Sequence, residues 1–115
     1  MGNLDDQTLL VMQLQGSDPR ARQAAAFGLH GGTINDGDGT MIVQLLEDRD
    51  PEVRAVAAFA LQGSILADGT AAMILGQFLE DRDPEVRAAA AYALRGTRIL
   101  DEQAAEYVAL VRGRS

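Results

Sequence analysis

The chain has 115 residues, 47% of them hydrophobic but only 4% aromatic, and a net charge of −7 in which all 10 basic residues are arginine. That length makes one domain, and the acidic balance excludes a general affinity for nucleic acid, which needs a basic footprint. The absence of cysteine excludes disulfides, thiolate metal sites and cysteine nucleophiles.

The chain opens on Met1-Gly2-Asn3-Leu4-Asp5-Asp6, acidic where a secretory signal is basic. No segment approaches the roughly 20 apolar residues needed to cross a bilayer, so a cytoplasmic location without membrane contact is expected. A first helix is predicted over 4–15, with Leu10 and Leu14 at helical spacing. The segment Asp18-Pro19-Arg20-Ala21-Arg22-Gln23-Ala24-Ala25-Ala26-Phe27-Gly28-Leu29 predicts a second. Its aspartate suits an N-cap, where a carboxylate accepts hydrogen bonds from free N–H groups. Its proline suits the first helical position, which has no N–H to satisfy. A glycine, Gly31, follows where a left-handed residue ends a helix.

The same phrase is written twice more, from Asp50-Pro51 to Leu61 and from Asp83-Pro84 to Leu94, with Gly63 and Gly96 behind. The prolines recur at spacings of 32 and then 33 residues, and a fixed period in that range marks a stacked-repeat architecture. A second helix type alternates with the first over 38–47, 69–80 and 101–112. The longer links between them each carry one aliphatic residue that reads as buried: Ile34, Leu66 and Ile99. This amounts to an all-α chain of seven helices, organised as repeats of about 4–31, 38–63 and 69–96 plus a terminal helix at 101–112, in a single domain over 1–115. No strand is expected anywhere.

The recurring Asp-Pro-x-Val-Arg-x-x-Ala-Ala-x-Ala-Leu resembles the HEAT-repeat family, in particular its short HEAT-like subgroup found in phycobilin lyase subunits. The first copy departs most, with Ala21 in place of valine and Gly28 in place of alanine. The resemblance implies antiparallel helix pairs, about three and a half of them, stacked into a short right-handed α-solenoid whose second helices line a concave face. It also implies a ladder between repeats made by Asp18, Asp50 and Asp83 with Arg22, Arg54 and Arg87.

Chemistry-bearing patterns are sparse. His30 is the only histidine, and no phosphate loop or nucleophile elbow is present, so no enzyme activity, cofactor or metal is expected. The loop Asn35-Asp36-Gly37-Asp38-Gly39-Thr40 superficially resembles a calcium loop, which needs oxygen ligands at positions 1, 3, 5 and 12 and glycine at 6. Counted from Ile34 it puts Leu45 at the twelfth place, and counted from Asp36 it puts Met41 where glycine belongs. A flexible turn is the reading of that loop.

Phe27, Phe59 and Tyr92 fall at the same place in each phrase, eight residues after the proline. Val53, Ala57, Ala58, Leu61 and their equivalents already supply a core face for these helices. The implied concave face would carry the aromatics together with Gln23, His30, Gln62 and Arg95. Rings rimmed by polar side chains suit a protein- or peptide-binding face, while rings folded over neighbouring alanines would be filler between repeats. A non-catalytic binding module is the expected function. The alternatives are a bilin lyase-like subunit that handles a chromophore, and a scaffold that self-associates as a homodimer through its ends, at Val11, Met12 and Leu14 at one and Val108, Leu110 and Val111 at the other.

Overall fold

The structure, a computed structural model, describes residues 6–114. In chain order it holds α1 (Asp6–Leu14), α2 (Pro19–Leu29), β1 (Thr33–Ile34), α3 (Asp38–Gln44) with a 3₁₀ turn (Leu45–Glu47), α4 (Pro51–Leu61), β2 (Ile65–Leu66), α5 (Gly69–Phe78), α6 (Pro84–Ala93), β3 (Arg98–Ile99) and α7 (Glu102–Arg114). The first two residues of the helix expected over 4–15 lie outside the described range.

The three Asp-Pro helices start as their residues dictate. Asp18, Asp50 and Asp83 hold extended backbone and accept from the N–H groups of Arg20, Glu52 and Glu85, which satisfies a donor that the first turn otherwise leaves free. Behind each helix, Gly31, Gly63 and Gly96 turn the chain at φ of +77°, +68° and +70°, a region that costs other residues about 1–2 kcal/mol.

The helices form two layers. α1, α3, α5 and α7 pack side by side in one, α2, α4 and α6 in the other, and each of α1, α3 and α5 pairs with the helix that follows it. The core between the layers is aliphatic, built on Leu14, Ile42, Leu46, Leu61 and Leu75, all fully buried. Small residues set the helix spacing. Gly28 lets Leu10 approach to where a β-carbon would touch it at 3.0 Å, and Gly76 makes room for the Tyr107 ring, which would meet a β-carbon at 2.6 Å. The product is an α-solenoid of 44 × 28 × 20 Å.

The chain is not strand-free. β1, β2 and β3 form a parallel ladder in that order, with Thr33 beside Ile65 beside Arg98. Two-residue strands are too short to show an alternating pattern. They arise because the left-handed glycines stack, a β-carbon on Gly96 falling 3.5 Å from the Gly63 Cα. That stacking brings the links into register, and Ile65 and Arg98 then donate to Gly32 and Ser64. Ile34 and Leu66 are fully buried beneath this ladder, and Ile99, on its outer strand, is half-buried.

The bridge between repeats also differs from the Asp–Arg ladder that the resemblance implies. The aspartates are occupied as caps, and Arg22 and Arg54 turn instead to the glutamate of the next repeat. Arg54 donates to the Asp48 and Arg49 carbonyls and meets Glu85 at 2.8 Å. Arg22 is held by the Gly16 carbonyl and lies 3.7 Å from Glu52. At the ends, Val11, Leu14, Val108 and Val111 prove to be core residues, leaving only Met12 and Leu110 of the expected self-association set exposed. The helical period points the former four inward against α2, α3 and α5.

Candidate functional site

Because α2, α4 and α6 run side by side, residues at equivalent places in the three phrases form rows across that layer. Phe27 is 71% exposed and Tyr92 53%. Phe59, in the middle row, is half-buried and packs against the core. Its ring takes the edge of Phe27 at 5.0 Å between centroids and stacks on His30 at 4.2 Å, 4° from parallel. The outer two rings are thus largely exposed, and the central one also fills space between repeats.

The polar row behind the rings is built by the next repeat. His30 Nδ1 lies 2.8 Å from the Phe59 carbonyl, which only accepts, so this nitrogen carries the proton. Gln62 donates to the Tyr92 carbonyl at 2.9 Å. Arg95, at the same place in the third phrase, instead sits over the Tyr92 ring at 4.6 Å, a cation–π contact. Gln23 is exposed one turn before Phe27.

Between the rows lie two adjoining hollows. One, of about 390 Å³, is lined by Gln23, Ala26, Phe27, Ala55, Val56 and Phe59. The other, of about 210 Å³, is lined by Ala55, Ala58, Phe59, Gln62 and Tyr92. They share Ala55 and Phe59, and neither lining contains a charged residue. The structure thus brings Gln23, Phe27, Phe59, Gln62 and Tyr92 to the hollows and places His30 and Arg95 against the rings beside them. The sequence reading missed Val56 and Ala58 as floor residues. The recurring alanines around them were the available signal, since small side chains between large ones leave depressions.

Two of the other recurrent carboxylates, Asp68 and Asp101, are committed to structure. Asp36, Asp68 and Asp101 line a hollow of about 410 Å³, but Asp68 caps α5 through Ala71 and Asp101 accepts from Ala104. Asp68 also receives the Gly37 and Thr40 amides and, at 2.6 Å, the Thr40 hydroxyl. Burial opposes its charge, yet the Thr40 hydroxyl and the Ala71, Gly37 and Thr40 amides together outweigh it and hold the carboxyl below its ordinary value. The 35–40 loop is therefore pinned rather than a free turn, with Asn35 also donating to Gln7. Among the described residues, no group of three His, Asp or Glu side chains is placed to hold a metal ion, and no helix is long and apolar enough to cross a membrane.

Helices paired and repeated in two layers define an α-solenoid repeat domain. A family model described as HEAT repeats matches residues 39–111, and the chain belongs to the HEAT-repeat family, whose repeats commonly mediate protein interactions. The match begins after the first phrase, the copy with Ala21 and Gly28, and it does not reach the phycobilin-lyase subgroup. No curated protein matches the chain.

Proposed function

We propose that this domain is a non-catalytic protein- or peptide-binding module, and that the α2–α4–α6 layer is its binding face. The observation that carries the reading is the pair of adjoining uncharged hollows walled by Phe27, Phe59 and Tyr92. Exposed aromatic side chains beside apolar hollows are the form that binding hot spots take. The chemistry selects an extended or helical segment that offers two apolar side chains, with polar neighbours for Gln23, Gln62, His30 and Arg95.

Selection of peptides from a random displayed library tests it. Binders recovered on the native domain are expected to carry a pair of apolar residues at fixed spacing and to lose at least tenfold in affinity against a Phe27→Ala/Tyr92→Ala double variant. Both rings are exposed, so that variant keeps its helical circular dichroism. Binders that hold the double variant with unchanged affinity would remove the reading.

A further inference from the structure

His30 and Gln62 hold the same place in the first two phrases and cap the C-termini of α2 and α4. Each reaches across to the next helix and donates there, His30 through Nδ1 to the Phe59 carbonyl and Gln62 through Nε2 to the Tyr92 carbonyl. Donating inward fixes what faces outward. The neutral imidazole is left with Nε2 and the amide with Oε1, and both of these accept. The negative ends of the α2 and α4 dipoles lie at the same rim. All of these groups belong to α2, α4 and α6, so the rim is made at internal junctions of the solenoid.

The hollow between α2 and α4 adjoins this rim, since Phe59 both lines it and carries His30 stacked on its ring. Its volume of about 390 Å³ falls in the range of sites that take small ligands. Fixed charges near it cancel or are spent. Arg22 and Arg54 are buried and face Glu52 and Glu85. Arg20 and Glu52, of opposite sign, stand in the first turns of α2 and α4, roughly 15 Å along the axis from His30 and Gln62 at 1.5 Å per residue. No carboxylate among the described residues pairs with His30. Arg95 lies over Tyr92 at the far wall of the second hollow, which leaves the first as the one without a cation at its wall. The net charge of −7 attracts cations from a distance.

We propose that the α2–α4 hollow takes a partner segment in which a large apolar side chain is followed by arginine or lysine. This rests on the reading of the α2–α4–α6 layer as a binding face. The apolar side chain fills the space between Phe27 and Phe59, and the cationic one lies along the rim, where His30 Nε2 accepts from it. An acidic side chain at that place would set its lone pairs against an acceptor and two negative helix ends, so the rim selects against it.

The probe is a blocked tetrapeptide of sequence alanine-leucine-arginine-alanine, titrated into the 115-residue protein labelled with nitrogen-15. A ligand of this size is expected to bind in the high micromolar to millimolar range. The amides of Gln23, Phe27, His30, Ala55 and Phe59 should shift. Glutamate in place of the peptide's arginine should weaken binding at least fivefold, and norleucine at least twofold. His30→Gln still has an acceptor to spare after donating to the Phe59 carbonyl, as Gln62 does, and should keep that order. His30→Lys has donors only and should reverse it. His30 is exposed, so both variants retain helical circular dichroism. Equal affinity for the arginine and glutamate peptides at the hollow, or a preference that His30→Lys leaves unchanged, would overturn the proposal and leave the binding face standing. No shift at the hollow with any of the three peptides at several millimolar would overturn both.

Discussion

Phe27 and Tyr92 stand out from α2 and α6, whereas Phe59 is held between the Phe27 edge and the His30 face. The three rings should therefore answer differently to truncation. Phe59→Ala is expected to lower stability by about 2 kcal/mol, roughly half the cost of deleting a fully buried ring, while Phe27→Ala and Tyr92→Ala each stay within about 0.5 kcal/mol; urea denaturation measures all three. Asp68 carries a pH-dependent contribution. Its carboxyl titrates lower in the folded chain than in the unfolded one, so its stabilisation is complete above the ordinary aspartate value of about 4 and is lost as pH falls through the lowered folded value. Asp68→Asn should cost about 2 kcal/mol near neutral pH, the worth of a hydrogen-bonded charge, and the gap to the native chain should close in acid below about pH 4. A constant gap from pH 7 to pH 2 would contradict this. The repeated letters made the aromatic position visible, but not that its middle member is shared between wall and core. That depends on His30 and Phe27 converging from the neighbouring helix, which no local pattern records.

The helices were legible because each carries its own start and stop. Asp-Pro begins α2, α4 and α6, and a glycine of positive φ follows each. The strands and the Arg–Glu bridges were not, because both are made between repeats: a two-residue strand has no period to read, and a cap aspartate looks the same whether or not it reaches the next helix. The glycine row is where this inter-element structure is most exposed to substitution. Gly63→Ala must place a side chain at φ +68° and should cost about 1–2 kcal/mol. Gly113→Ala lies inside α7 with open space around it and should be neutral or stabilise by up to about 1 kcal/mol. Thermal unfolding of the two variants side by side separates a conformational requirement from mere helix propensity.

Across the whole molecule, stability in a solenoid is the sum of its units and the interfaces between neighbours, and here the interfaces are unequal. Arg54 and Glu85 close to 2.8 Å, but Arg22 stays 3.7 Å from Glu52 and its Nε finds no partner among the described residues. A buried donor left unsatisfied costs about 1–3 kcal/mol. Native-state hydrogen exchange should therefore show α2 opening at lower free energy than α4, the helix with a neighbour on each side; equal protection in the two would mean the first junction is as firm as the second. The central claim is that the uncharged hollows of the α2–α4–α6 layer receive the partner. The most direct measurement is a nitrogen-15 titration of the native domain with a peptide selected on it. The account predicts that the largest shifts fall on Gln23, Phe27, Ala55, Phe59, Gln62 and Tyr92. Shifts centred on Asp36, Asp68 and Asp101, or spread over α1, α3 and α5, would contradict it.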